Sequence, residues 1–363
     1  MDPMNGFNRN NVDIMPLVGK RPTLTDVARI CGVTPATVSR VLNNKKKFST
    51  TDAVREKITE TARKLGYMPD LAARNLNRGV THIIGVFASP QTHIAEGINQ
   101  SLLEGITSVL HPQGYDVFFE LSSNEYRHQA IPAWRFDGAI LMQMPRPETI
   151  VELDRRHVPY VCVNEKVGNP QAFVLAEDVM GANRALEHLI QLGHKRIAYA
   201  NAQATYFNHY SVTERYETLL EGVRKNSLHF VGGHETPFPI AADFLQDSVV
   251  EGRATAVITY DHQIAVMIVG AAQTLGLRIP QDFSLICFND VFPVALLATP
   301  LTAVAVSGRE MGRIGADLLL NSLQKPKTTA GRIIRVAEDL IVRASTAPPR
   351  SDNPFDRGPM GRG

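Results

Sequence analysis

Cysteine is scarce in this chain, with three in 363 residues. Cys31, Cys162 and Cys287 are far apart, odd in number and each set in an apolar run. That pattern excludes a disulfide framework and reads as buried free thiols in a reducing cytoplasm. Nowhere do about 18 consecutive apolar residues occur, so no membrane-spanning helix is expected. The first twenty residues are polar and Asn-rich and lack the apolar stretch of a secretion signal. The phosphate-cradling motifs G-x-G-x-x-G and G-x-x-x-x-G-K-[ST] and the nucleophile elbow G-x-S-x-G are all absent. His111, His194 and His234 have no metal-ligand spacing. Neither a cofactor nor a metal is therefore expected.

Net charge is also slight, +2, but it is unevenly placed. Residues 1–80 hold 14 Lys and Arg against 7 Asp and Glu, while the other 24 basic and 29 acidic residues leave the remainder at −5. A basic head on an acidic body points to an anionic polymer bound at one end. At 44% hydrophobic and 20% charged, the chain is of ordinary globular composition, and its length suits two or three domains.

The periodicities divide the chain. Residues 1–21 show none and read as a mobile tail. Three short helices are predicted between Thr23 and Gly66. The first follows the Thr23–Asp26 cap and turns Leu24, Val27, Ala28 and Cys31 to one side. Gly32 breaks it. Thr34 caps the second, with Pro35 at its first position and Val38 and Val41 inside. The third runs from about Thr51 to Leu65, with Val54, Ile58 and Ala62 at i, i+4 and i+8.

From Thr81 apolar runs alternate with amphipathic stretches. The runs are 82–87, 116–119, 138–141, 160–163, 196–199, 256–258 and 284–287. Continuous apolar strands between helices mean parallel sheets covered on both faces, and seven exceed one ordinary sheet. Two α/β lobes are expected. Residues 346–363, rich in Pro, Gly, Arg and Asp, are expected to be a disordered tail.

Two short helices about a glycine turn make a helix-turn-helix, whose second helix enters the major groove of DNA. Pro35, Ala36, Thr37 and Arg40 share its early outward turn. The small groups at 35 and 36 can meet thymine methyls, and Arg40 can pair with guanine or grip a phosphate. Thr25, Thr34 and Ser39 offer hydroxyls to phosphates.

The run Leu24–Asn43 resembles the headpiece of the lactose/galactose repressor (LacI/GalR) family, close to T-x-x-D-V-A-x-x-A-G-V-S-x-x-T-V-S-R-V-L-N. Cys31 and Thr34 stand for its Ala and Ser. The resemblance adds Asn43 to the DNA contacts. It also implies a hinge helix within 68–80, with Arg74 on DNA and Leu76 wedged into a minor-groove step. Asp70 replaces the usual Asn there. Lys45-Lys46-Lys47 lies in a loop two residues longer than the lactose repressor's. Phosphate contact and a solvated loop both remain open for it.

The resemblance extends through 345, carried by Phe136–Leu141, His157–Val161, His188–Ala198, Leu275–Pro280 and Pro300–Val304. It implies a two-lobed, periplasmic-binding-protein-like body over 81–345 with a sugar-like effector in the cleft. In such sheets ligands lie beyond the carboxyl ends of the strands. By that rule the candidates are Phe87, Ser89, Gln91, His93, Asp178, Asp261 and Asn289. The family adds Arg215 and His209. Asp178 and Asp290 are the ones expected to be structural. Asp261-His262 and Asn289-Asp290 depart from the family's Asn-Asp and Asp-Asp pairs, so the effector's identity does not transfer.

The reading is a cytoplasmic DNA-binding regulator, a repressor, acting as a homodimer on pseudo-palindromic double-stranded operator DNA. The alternatives are a solute-binding protein or an enzyme on the same α/β body. No leucine follows position 340, and Pro348, Pro349 and Pro354 interrupt any helix, so no coiled coil joining two dimers is expected.

Overall fold

Three short-range devices shape the amino-terminal unit. The Thr23 hydroxyl accepts from the Asp26 N–H, while the Asp26 carboxylate accepts from the Thr23 N–H and hydroxyl. This reciprocal cap starts α1 (Leu24–Cys31). Gly32, at φ 69°, ends it in the left-handed region, where a side chain is strained. α2 is Pro35–Leu42 and α3 is Asp52–Leu65. Val27, Ala28, Cys31, Val38, Val41, Ile58 and Ala62 close one small core between them.

The structure is a computed structural model that describes residues 22–42, 50–67, 80–88, 97–121, 136–201, 208–231, 240–324 and 331–350. They fall into two units that part between Val80 and Thr81.

The second unit contains two six-stranded sheets. The first is built from β1 (Ile83–Ala88), β2 (Asp116–Leu121), β3 (Gly138–Met142), β4 (Tyr160–Val163), β5 (Ala172–Ala176) and β11 (Arg332–Val336), ordered β11-β5-β4-β3-β1-β2. The second has β6 (Arg196–Ala200), β7 (His229–Phe230), β8 (Ala256–Thr259), β9 (Ser284–Phe288), β10 (Thr302–Ala305) and β12 (Asp339–Ile341), ordered β12-β10-β9-β8-β6-β7. Every pairing is parallel except β12 against β10. The helices are α4 (Ile98–Leu110), α5 (Pro147–Arg155), α6 (Asp178–Gln191), α7 (Tyr210–Lys225), α8 (Ala241–Leu245), α9 (His262–Thr274) and α10 (Gly308–Gln324). This is the α/β body with parallel sheets that the alternation predicts.

Each of the seven predicted runs is a strand, with ends moved by a residue or two. His82 stands just outside β1, at φ 55°. Of the remaining five, β5 is an apolar run that the sequence reading passes over, β7 and β10 are short, and β11 and β12 are edge strands with no continuous apolar run to announce them.

Among the described residues the chain passes between the sheets three times, at 177–178, 306–307 and 337–338. These passes are bonded to one another. Glu177 N–H donates to the Val336 carbonyl at 2.9 Å, and the Ser307 hydroxyl to the Ala337 carbonyl at 3.4 Å. After the second pass α10 returns to the first lobe and lies against α4 with almost nothing between them. A Cβ at Gly105 would sit 2.0 Å from the Arg309 carbonyl oxygen, and one at Gly312 2.1 Å from that of Leu102.

Cys31, Cys162 and Cys287 are buried free thiols. Burial pushes the Cys162 thiol up to about 12, so it stays neutral. Among the described residues no helix is long and apolar enough to cross a membrane.

The expected tail begins too early at 346. Thr346 shares hydrogen bonds with His188 and Thr302, and Ala347 bonds to Ser284 and His194. These polar groups draw the first residues beyond Ser345 onto the second lobe.

Candidate DNA-binding head and effector cleft

The head presents α2 much as its sequence implies. Pro35, Ala36 and Arg40 are exposed, while Thr37 and Ser39 are half-buried. Thr25 is exposed on α1. The Thr34 hydroxyl accepts from the Thr37 N–H at 3.2 Å and shares a 3.0 Å hydrogen bond with the Thr37 hydroxyl. Capping α2 therefore already engages the hydroxyl that the sequence offers to a phosphate. Asn43, Arg74, Leu76 and the Lys45–Lys47 loop lie outside the described residues.

In the body, the amino-terminal turns of α7 meet the carboxyl ends of strands from both sheets. His209 caps α7, and its ring bonds on both sides: Nδ1 with the Ser211 hydroxyl at 2.7 Å, Nε2 with the Asn164 carbonyl at 2.8 Å. A carbonyl only accepts, so Nε2 carries the hydrogen and Nδ1 accepts from Ser211. Tyr260 O–H then donates to the Ser211 oxygen at 2.9 Å. The result is an ordered chain from Tyr260, after β8, to Asn164, after β4, and so from one lobe to the other. Tyr210 adds a second tie: its hydroxyl donates to Asn164 Oδ1 and accepts from the Ala176 N–H, both at 3.1 Å.

Arg215, one helical turn further along α7, is 5% exposed. Its Nε donates to Asp178 Oδ1 at 2.5 Å and its Nη1 to the Tyr260 carbonyl at 2.7 Å. The guanidinium lies 4.0 Å above the centre of the Phe288 ring. Burial alone would lower its pKa, but the neighbouring acids, the Asp178 charge foremost, outweigh that and raise it. At the rim Arg335 of β11 forks onto both oxygens of Glu214 on α7, each at 2.8 Å.

Asp261 caps α9 by accepting from the Ile264 N–H at 2.9 Å. Burial, offset in part by that bond, raises its pKa. Asn289 follows β9 with φ 69°, is half-buried, and its N–H donates to the Val304 carbonyl. Asp290 is held by Arg343 through two bonds of 2.7 and 2.8 Å.

Asp178, His209, Arg215 and Asp261 thus come together at the junction of the lobes, with Asn289 at the end of β9. Phe87 does not join them. It is 1% exposed and packs edge-on against Phe136, with Leu141, Leu153 and Tyr160 in the same core. A strand's carboxyl end holds core side chains as well as cleft ones, because successive residues face opposite sides of the sheet. Ser89, Gln91 and His93 lie outside the described residues.

Asn164, Tyr210, Tyr260 and Glu338 are the junction residues that sequence reasoning passes over. Asn164 directly follows an apolar strand, a usable signal. Nothing in the local sequence marks Glu338, since neither flanking strand carries a continuous apolar run.

Residues 23–70 match the model of the lacI family of bacterial regulatory proteins, and residues 186–346 match a periplasmic binding protein-like domain. The chain belongs to the lacI family. Its curated relatives include the HTH-type transcriptional repressor PurR of Vibrio vulnificus, 27% identical over 88% of this chain and 97% of that one. Another is the HTH-type transcriptional regulator CelR of Thermobifida fusca, 26% identical over 90% and 98%. Among solved structures the Lac repressor dimer bound to operator and an anti-inducer superposes with a TM-score of 0.75, at 23% identity over 90% of this chain and all of that one. The fold of that repressor is therefore this chain's fold. This lacI-family chain is a DNA-binding transcriptional regulator, and family membership sets aside the enzyme.

Proposed function

We propose that the protein is a cytoplasmic repressor that binds pseudo-palindromic operator DNA as a homodimer and is controlled by a small, polar, sugar-like effector held between its lobes. The observation that carries this reading is the polar junction: His209 bonds Asn164 of the other lobe and, through Ser211, Tyr260, and Asp261 caps α9 directly after Tyr260. Such groups suit a polyol, since buried hydrogen bonds penalise a wrong partner. Solved relatives hold cellobiose and ribose. Asp178, His209 and Arg215 are bonded to protein and frame the site. Direct contacts then fall to Asn289, Asp261 and the segment holding Ser89, Gln91 and His93.

On DNA, α2 reads the major groove with Pro35, Ala36, Thr37 and Arg40, and two-fold symmetry of the protein matches that of the site. Leu76 enters the minor groove as a wedge.

Selection of binding sites from random duplexes tests the first half, and it is expected to return a two-fold symmetric sequence. A thermal-shift screen of sugars tests the second, because a ligand specific to the folded body raises its melting temperature by mass action. Protein that retains no duplex, or retains all sequences equally, refutes the operator reading. A screen in which only charged metabolites stabilise refutes the sugar.

A further inference from the structure

Glu338 lies on the third pass between the lobes, from β11 to β12, and is 0% exposed. Neither carboxyl oxygen has a hydrogen-bond partner among the described residues. Arg215 Nη2 is 3.9 Å from Oε1, whereas its Nε is 2.5 Å from Asp178. Two buried acids therefore share one guanidinium, and Asp178 holds it. The slot for Glu338 exists because residue 181 is glycine: a Cβ there would lie 1.9 Å from Oε2. The other charged groups about it are Glu177 before α6, Glu214 on α7, Arg184 on α6, Arg335 on β11 and Asp339. Arg335 is taken by Glu214, and Arg184 donates to the Glu338 carbonyl and to Asp339. No second cation among them reaches the Glu338 carboxyl. A buried carboxylate with no hydrogen bond, whose facing guanidinium is 3.9 Å away and held by another acid, is a form that desolvation disfavours.

We propose that Glu338 is a proton-binding latch between the lobes. Its carboxyl carries a proton while packed against Asp178 and Arg215, and gives that proton to water when the lobes turn and open the pass. Burial, and then the Asp178 charge, push the Glu338 pKa up to about 8 against the pull of Arg215, consistent with a neutral acid in this arrangement. The latch makes the balance between lobe arrangements proton-linked. Higher pH favours the turned arrangement, and one proton shifts that balance by at most about tenfold per pH unit. The operator-binding consequence rests on the proposed repressor function; the protonation itself does not.

Infrared difference spectra of the full chain test the proton. At pH 6.5 the wild type is expected to show the carbonyl stretch of a protonated carboxylic acid that fades by pH 9. Glu338→Gln should lack this signal. Asp261→Asn should retain it, which excludes Asp261, a buried acid whose pKa burial also raises, and also serves if Glu338→Gln does not fold. Operator affinity measured over the same range should change with pH more steeply in the wild type than in Glu338→Gln. Identical wild-type and Glu338→Gln spectra at pH 6.5, no such signal in Asp261→Asn, or identical pH dependences of operator affinity would overturn the latch. Failure to bind any DNA refutes the repressor reading alone, since the infrared signal is read without DNA.

Discussion

Arg40 and Arg215 are both arginines in a regulator, yet their surroundings give them opposite sensitivities. Arg40 is exposed on α2. Its replacement by alanine should leave stability almost unchanged and lower discrimination at one base pair of each half-site by about 1–3 kcal/mol if it reads guanine. If it grips a phosphate, affinity falls uniformly and the salt slope drops by about one. Site selection and a salt titration on the mutant separate the two; no change in either removes Arg40 from the interface. Arg215 is buried beside two acids. Arg215→Ala leaves those carboxyls unpaired and should cost about 3–5 kcal/mol of folding stability. Arg215→Lys should recover only part, because lysine lacks the fork that reaches Asp178 and the Tyr260 carbonyl together. A denaturant midpoint equal to wild type in Arg215→Ala would mean the pairing contributes nothing. Loss of effector response in that mutant therefore does not identify Arg215 as a ligand contact; Asn289→Ala is the cleaner test.

His194 shows the same dependence on setting. Its Nδ1 bonds the Thr255 hydroxyl at 2.9 Å, and its Nε2 bonds the Ala347 carbonyl at 2.9 Å and the Ser284 hydroxyl at 3.1 Å. Burial holds its pKa down at about 4. The unfolded chain takes up this proton near pH 6.5, so below that value it binds more protons than the folded chain. Stability contributed by neutral His194 is therefore present above about pH 6.5 and lost as pH falls towards 4, on the order of 3 kcal/mol. Melting curves of wild type and His194→Gln should converge as pH falls through that window, and parallel curves would contradict it.

At the scale of elements, the contact between α4 and α10 is set by backbone rather than by side chains. A methyl at Gly312 would meet the Leu102 carbonyl oxygen at 2.1 Å, and backbone cannot swing aside as a flexible side chain does. Gly312→Val should force the helices apart and lower the urea midpoint by about 1–3 kcal/mol of stability or more. Gly270 lies on the exposed side of α9 with an ordinary φ, and a methyl there would meet nothing within 4 Å. Gly270→Ala should be neutral or gain up to about 1 kcal/mol. Equal midpoints for the two mutants would show that the close approach carries no weight. Both are glycines inside helical patterns, and nothing in the local sequence tells them apart.

For the whole molecule, the proposed assembly is a homodimer of about 80 kDa, twice the 40.0 kDa chain. Deleting 351–363 should leave it a dimer by light scattering and leave its melting temperature unchanged. Deleting from 346 should lower the melting temperature, because it removes the partners of His188, His194 and Ser284. A tetramer that falls to dimers when 351–363 is removed would overturn the dimer.

The head was legible from sequence because its determinants are local. A reciprocal Thr23–Asp26 cap, glycines at 32 and 66 and a Pro35 start each act within one helical turn, and the apolar spacing decides which sides face inward. Six of the seven predicted strands were legible for a related reason: strands buried on both faces must be apolar throughout, as Gly138–Met142 is, whereas the edge strand β2 was marked only by its Val117-Phe118-Phe119 run. The edge strands β11 and β12 carry charge and exposure, so no periodicity reveals them. Tertiary structure alone set the role of each cleft candidate. Phe87 and Asn289 were selected by the same strand-end rule, but only the fold puts the phenyl ring in the core. Asp178, Arg215 and Glu338 are separated by dozens of residues, and three passes of the chain bring them into one charge cluster. Burial and mutual distance fix which acid holds the guanidinium and which is left without it, and neither quantity exists until the lobes are built.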